Sequence, residues 1–529
     1  MNFLQKITAR TKIKKKLSKL FHSSNSYKYK KKTILLEFSN WTFNHLASAY
    51  ICDILSKKYK AKVVSYASFQ LTSSKLKQNL LEKLLWSVGN LLSLKSFGIY
   101  HSFGVSNIFF PSVDSEIEIK ATKEFLKYYK NIKSKEDVQN YKINNILFGD
   151  LIYDSYLKST LYPTIDINSL KFKSFFLDSI KLFFFWETYF LKNSISAIVS
   201  YHSVYLGALP LRFGISKKIP SYVLNINKLY RLSESKILTG KEYLDYKKIF
   251  KKLTLTEKKK NLKIAKKKLT DRFSGALSSD LLFADKSAYR KSYSNKIFLI
   301  KSKKIKILIA PHSFSDSPHV FGNAFFPDSY VWLENLGKIS NQTNYDWYIK
   351  CHPDFNIYFD NTISLVNGFV KKYPNIKYLN ANTPHIKIIN EGIDYVLTVY
   401  GTIAGEYPYF DVNAINATKN HTQIQYDFTT TPKNKKEYLY LLRNLKKPNK
   451  VKKKTQVLEH SYMKYEYFNN RWFFDDLKQV KQDVFGYNNL FREQMYVFFV
   501  KNFDLNSHKK RYEKIKKFSN SNNYIMINK

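Results

Sequence analysis

Lys32-Thr-Ile-Leu-Leu-Glu-Phe38 follows a lysine-rich tail and reads as a short buried strand. A helical pattern from Asn44 to Lys58 comes next, and Ala61-Lys-Val-Val-Ser-Tyr66 reads as a second strand. Strand, helix and strand within about thirty residues make a βαβ unit, and its crossover predicts a parallel sheet. Further strands are predicted at Ile108–Phe110, Ala197–Tyr201 and Ser221–Leu224. A second alternation opens at Ile305-Lys-Ile-Leu-Ile-Ala310. It continues through strands at Asp346–Lys350, Ile376–Leu379 and Asp394–Val399, with helices at Ser329–Ile339, Ser364–Lys372 and Thr402–Phe410. The predicted fold class is α/β: two Rossmann-like domains facing across a cleft, with a helical C-terminal extension. The predicted boundaries are a basic extension over 1–32, a first domain over 33–270, a linker over 271–303, a second domain over 304–440 and the extension over 441–529.

A chain of 529 residues exceeds what one hydrophobic core ordinarily supports, which agrees with two domains. Apolar residues make up 44% and aromatic residues 17%, so a disordered chain is excluded. The formal net charge of +47 is spread along the whole sequence. No zinc-knuckle, RNP-type or basic-zipper pattern accompanies it, so no nucleic-acid partner is expected. Cys52 and Cys351 fall in different predicted domains and outside any CxxC pair, which suits a reducing cytoplasm. The most apolar stretch, 174–191, carries Asp178, Lys181 and Glu187, which a bilayer core would reject. In the basic tail, Ile13, Leu17, Leu20 and Phe21 form one apolar stripe among lysines. Such a helix predicts peripheral contact with an anionic membrane surface.

Three constellations in the second half could carry chemistry. The loop after the strand at 305–310 packs His312, Ser313, Ser315, Asp316, Ser317 and His319 together. Hydroxyls, imidazoles and backbone N–H groups at the carboxyl end of a strand suit a phosphate or sugar ligand. Tyr348-Ile-Lys-Cys-His-Pro-Asp354 ends a strand in a His-Pro pair. Pro353 holds His352 extended and aims it outward, with Lys350 and Asp354 beside it. In Leu397-Thr-Val-Tyr-Gly-Thr402 a strand runs through Tyr400 and Gly401 into a predicted helix. Thr402 is its expected N-cap, the free N–H groups would face a phosphate, and Glu406 would face a ribose hydroxyl. Walker and GxGxxG patterns are absent, which argues against a nucleoside triphosphatase or a dehydrogenase. No Asp-x-Asp pair calls for a divalent metal, and no cofactor is expected.

The first half offers fewer candidates. In Phe148-Gly-Asp-Leu-Ile-Tyr-Asp154, helical spacing puts Asp150 and Asp154 on one face, where one could act as a general base. His202 follows a predicted strand, and Glu37 and His45 flank the first one.

Pro311-His-Ser-Phe-Ser-Asp316, Lys350-Cys-His-Pro-Asp354 and Val399-Tyr-Gly-Thr402 with Glu406 together resemble the donor half of bacterial capsule and surface-polysaccharide glycosyltransferases of the GT-B arrangement. A His-Pro pair followed by a Gly/Ser/Thr-plus-Glu helix start is shared with capsule Kdo transferases, bacterial sialyltransferases and teichoic-acid glycerophosphotransferases. The resemblance covers roughly a quarter of the chain. It implies that the histidine and the hydroxyl-rich helix start hold the phosphates of a nucleotide-linked donor, often CMP- or CDP-linked, and that the acceptor is a glycan or glycolipid. Gly405 departs from the pattern, where a larger polar residue such as His is expected, and 411–415 lacks the usual Gly-x-Pro turn. The leading expectation is a cytoplasmic, nucleotide-sugar-dependent glycosyltransferase. The alternatives are a CDP-polyol phosphotransferase, and a non-catalytic basic protein that binds membranes or nucleic acid.

Overall fold

The computed structural model describes residues 1–21, 30–67, 80–276, 287–289, 297–353, 355, 361–449, 453–469 and 471–527, with only the backbone at 80–83 and 478. The chain divides into two compact units. Unit 1 comprises 1–159, 166–239 and 470–529; unit 2 comprises 160–165 and 240–469.

Unit 1 is built on β1 (Lys32–Phe38), β2 (Lys62–Ala67), β3 (Val105–Phe109), β6 (Ser194–Ser200), β7 (Ser221–Leu224) and β8 (Leu229–Leu232). The two-residue strands β4 (Lys142–Ile143) and β5 (Ile146–Leu147) form a separate hairpin. The sheet order is β3-β2-β1-β6-β7-β8, parallel except for antiparallel β8 at the edge. Unit 2 is built on β9 (Lys306–Ile309), β10 (Asp346–Lys350), β11 (Ile376–Leu379), β12 (Tyr395–Thr398), β13 (Asn413–Asn416) and β14 (Thr429–Thr430). Its order is β11-β10-β9-β12-β13-β14, all parallel. Both sheets therefore follow the 3-2-1-4-5-6 order of a Rossmann fold. The strands are short apolar runs because both faces of each sheet are covered. In unit 2, Ile307, Ile309, Trp347 and Ile349 pack on one face, while Leu308, Tyr348 and Val396 pack on the other.

The predicted domain boundaries need correction. The division falls at Thr239/Gly240, not near 270, and the lysine-rich helix Leu255–Phe273 belongs to unit 2. Much of the predicted linker, 277–286 and 290–296, lies outside the described residues. The C-terminal region is helical, but it is not one extension: 441–469 stays with unit 2 and 470–529 returns to unit 1. There Thr42 Oγ1 donates to Arg492 O at 2.8 Å, Tyr512 OH to Asp53 Oδ2 at 2.7 Å, and Ile525 bridges antiparallel to Tyr230.

The basic N-terminus is likewise part of unit 1. Residues Phe3–Leu20 form a helix closed by a capping box at Asn2 and Gln5. Its stripe of Ala9, Ile13 and Leu17 is buried as the helix packs on Lys95–Ser102 and Gln494–Lys501, and Phe21, just beyond it, packs on the rings of Tyr50 and His508. Arg10 pairs with Glu493 beside it. The face predicted to meet a membrane is thus used by the core. Among the described residues, no helix is long and apolar enough to cross a membrane.

Candidate functional site

In unit 2 the loops after β9, β10 and β12 leave the same edge of three neighbouring parallel strands. β9 and β12 flank the point where the strand order reverses, the place at which open α/β sheets bind ligands. Side chains tie the two loops together there. His312 Nε2 lies 3.2 Å from Thr398 Oγ1 and accepts from Tyr400 N–H at 3.3 Å. The rings of His312 and Tyr400 are 4.2 Å apart. Because a backbone N–H donates to Nε2, the ring proton of neutral His312 sits on Nδ1. Burial drives the His312 pKa from 6.5 to about 4, although the residue as a whole is partly exposed, so the side chain is neutral at pH 7.

The loop itself is anchored at several points. Phe314 is buried in the unit 2 core, and its N–H donates to Thr362 Oγ1 at 3.3 Å. Ser317 is held at φ 46°, a region that costs non-glycine residues energy. Val320 N–H donates to Ser317 O at 3.0 Å, and Tyr400 OH reaches the same carbonyl at 3.5 Å. On the facing loop, Gly401 has an ordinary φ of −64°. Its requirement is closeness: a Cβ there would lie 2.6 Å from Thr398 Oγ1.

The predicted donor residues separate into two groups. His312, Ser313, Asp316, His352, Tyr400 and Gly401 are partly exposed, and Thr402 is exposed. Ser315, His319, Lys350, Pro353 and Glu406 are buried. Asp354 lies outside the described residues.

Four expectations are corrected. Residues 402–410 form two separate 3₁₀ turns, Thr402–Gly405 and Tyr407–Phe410, so no long helix dipole faces the loops. Gly401, not Thr402, occupies the N-cap position. Glu406 is 3% exposed and both of its oxygens are engaged: Arg272 Nη2 donates to Oε1 at 2.7 Å and Tyr289 OH to Oε2 at 2.6 Å. Its carboxylate is a structural anchor, not a ribose ligand. Lys350 Nζ lies 3.2 Å from His385 Nε2, and His385 Nδ1 is 2.6 Å from Tyr407 OH. That lysine serves the interior, and burial with the adjacent Lys350 cation holds the His385 pKa well below its usual value.

Some site residues were missed by sequence reasoning. Thr398, read only as strand, joins His312 to Gly401 through its hydroxyl. Lys241 donates to Phe321 O at 2.6 Å and Asn420 Oδ1 at 2.9 Å, and the Phe321 ring lies 5.2 Å from that of Tyr400. Burial lowers the Lys241 pKa to about 8. No local pattern marks a lysine seventy residues ahead of the loop it supports. Gly405 also gains an explanation, since a Cβ there would sit 3.0 Å from His460 Cε1 and 3.1 Å from Gln423 Nε2. His460, from the helix Lys454–Tyr462, fills the space a larger residue at 405 would need.

In unit 1, Asp150 and Asp154 share the helix Gly149–Thr160, but both are buried. Arg212 Nη2 donates to Asp150 Oδ2 at 2.7 Å inside the unit, which removes Asp150 as a solvent-facing base. Gly149 permits the close approach of Val138 O, 1.8 Å from where a Cβ would stand. The Phe148–Asp154 segment is therefore a packing element. Glu37 accepts from Ser200 Oγ and from Tyr201 N–H, and so pins β1 to β6. His45 is enclosed between Tyr496 OH and Ser39 O, and burial lowers its pKa to about 4. His202 remains partly exposed beyond β6, with Trp41 beyond β1 at a ring distance of 6.3 Å. These two flank the strand-order reversal of unit 1.

No protein-family model matches the sequence, and no curated protein matches it. Solved structures that the chain matches include KpsC of Thermosulfurimonas dismutans, a beta Kdo 2,7 transferase. It shows 16% identity over 54% of this chain and 86% of that one, with a TM-score of 0.30. The UDP-GlcNAc 2-epimerase of Methanocaldococcus jannaschii shows 11% identity over 81% and 97%, with a TM-score of 0.24. MurG of Acinetobacter baumannii shows 9% identity over 92% and 99%, with a TM-score of 0.21. Likeness at this level says nothing of the chemistry performed by this chain.

Proposed function

We propose that the protein is a glycosyltransferase that moves a sugar from a nucleotide-activated donor, CMP-linked by resemblance, onto a growing capsule or lipopolysaccharide glycan. The observation that carries this reading is the junction of His312, Thr398 and Tyr400 across the strand-order reversal of unit 2. Around it are partly exposed or exposed Ser313, Asp316, His352, Gly401 and Thr402. In this reading His312 donates from Nδ1 as a neutral group, and the Thr402 hydroxyl and the backbone at Gly401 complete a cradle for phosphate oxygens. His352, at the end of β10, donates to the same phosphates. Rate enhancement comes from stabilising the negative charge on the departing nucleotide with donors already in place. His202 is the remaining candidate base on unit 1. Two buried thiols, Cys52 and Cys351, suit a reducing compartment, so the reaction is assigned to the cytoplasm.

The test combines thermal shift against CMP-, CDP-, UDP- and GDP-linked sugars with turnover assays on wild type and His352→Ala. A ligand bound by the folded state raises the melting temperature. The expected result is a shift with one nucleotide class, weakened at least tenfold in concentration dependence by His352→Ala. Unchanged donor affinity and turnover in that variant would end the proposal. A product that retains a donor phosphate would instead assign polyol-phosphate transfer.

A further inference from the structure

Among the described residues of unit 1, a cavity of ≈ 890 Å³ lies beyond the carboxyl end of β3. That volume falls within the usual range for a small-molecule site. One wall is aromatic, with Trp86, Phe109 and Phe110; the Trp86 and Phe110 rings stand edge to face at 5.8 Å. Opposite chemistry comes from the helices Ser115–Tyr129 and Leu170–Lys192. Glu118 and Asp178 line the cavity with Lys181, whose Nζ lies 3.0 Å from Glu118 Oε1 and 3.4 Å from Asp178 Oδ1. Carboxylates accept from hydroxyl groups, and an aromatic face covers an apolar C–H surface. Together these features match a sugar ring. Two further polar atoms belong to lining residues: Trp86 Nε1 and Asn90 Oδ1 are buried without a hydrogen-bond partner among the described residues.

The helix Leu80–Leu91 supplies Trp86, Ser87, Asn90 and Leu91 to this cavity. Leu84, Leu85, Val88, Leu91 and Leu92 repeat at helical spacing, and all five face solvent. Leu91 is 83% exposed and also borders the cavity, so the apolar stripe is continuous with the cavity mouth. Five exposed aliphatic side chains on one stripe mark an interaction surface, not ordinary scatter.

We infer that this cavity and stripe form one binding site for a glycolipid, with the sugar between Trp86 and the Glu118–Asp178–Lys181 group and the apolar chain along Leu84–Leu92. Its role as the acceptor site rests on the glycosyl-transfer reading; the binding itself does not.

The test is calorimetric titration of the full chain, without nucleotide, with octyl glucoside, octyl galactoside and octyl N-acetylglucosaminide below their micelle concentrations. Methyl glycosides and octanol serve as half-ligands. At least one octyl glycoside should bind saturably and about tenfold or more tighter than either half-ligand. Asp178→Asn should weaken that glycoside about tenfold and leave octanol unchanged. Leu91→Ser/Leu92→Ser alters exposed side chains, so it keeps the fold, and it should reduce octyl-glycoside affinity to that of the methyl glycoside. Equal binding of octanol and all octyl glycosides would overturn the inference in favour of a bare apolar surface. Indifference to Asp178→Asn, or a dimer in sedimentation that disperses on Leu91→Ser/Leu92→Ser without glycoside binding, would also overturn it. Absence of nucleotide-sugar binding in the thermal-shift panel sinks the transfer reading alone.

Discussion

Replacing Glu406 by Gln separates an anchor from a ligand. In the wild type, Glu406 closes an internal ion pair with Arg272 at 2.7 Å and accepts from Tyr289 at 2.6 Å. Both charged residues are buried. The amide can still accept one of these hydrogen bonds, but it removes the negative charge that Glu406 sets against the buried Arg272 guanidinium. Removing one partner of a buried pair costs about 3–5 kcal/mol, and the retained hydrogen bond puts this case near about 3. For a unit of this size each kcal/mol moves the melting temperature by about 2–4 °C, so the expected loss is about 6–12 °C. Trp332 and Trp347 lie buried in the unit 2 core and report the transition by fluorescence during heating. The double variant Arg272→Met/Glu406→Leu removes both charges together and should recover most of the loss, because well-packed apolar pairs replace buried ion pairs at little cost. A melting temperature within about 1 °C of wild type for Glu406→Gln, together with a large fall in nucleotide affinity, would refute this reasoning and restore Glu406 as a ligand.

Acid should destabilise the protein in a defined window. Burial lowers the pKa values of His45, His312 and His421 from 6.5 to about 4, so the unfolded chain binds protons at these positions before the folded one does. Their contribution is complete above pH 6.5 and falls as pH drops toward 4, by about 3 kcal/mol for each histidine over the full interval. Urea unfolding at pH 7.5, 6 and 5 checks this, and a midpoint unchanged down to pH 5 would contradict it. Leu17→Ala hollows a fully buried contact of the N-terminal helix and should cost about 2–5 kcal/mol, while leaving binding to anionic vesicles unaltered. Vesicle sedimentation together with thermal unfolding separates the two effects; loss of vesicle binding without loss of stability would return that helix to the membrane.

The sheets were readable where short strands are rich in apolar and aromatic residues: Asp346–Lys350 and Ile376–Leu379 match β10 and β11. β13 was not, since Asn413-Ala-Ile-Asn416 holds only two apolar residues, and its neighbours in the sheet make it a strand. The loops holding His312, His352 and Gly401 were legible because each follows such a strand. Glu406 was misread because its partner Arg272 lies 134 residues away, and long-range ion pairing leaves no periodic trace. The tail misled for a related reason. An apolar stripe at 13, 17 and 21 has the same spacing whether it meets lipid or another helix.

Because the last sixty residues complete the unit that the first strand begins, synthesis and assembly run in different orders. β1 and the helix Thr42–Tyr59 leave the ribosome before residues 240–469, yet Arg492, Tyr496 and Tyr512, which bond to that helix, emerge after them. The middle of the chain can close its own sheet while the earlier half waits, reversing the usual N-terminal-first sequence. A stop codon near 470 would therefore spare the unit that contains His312 and disable the one made before it.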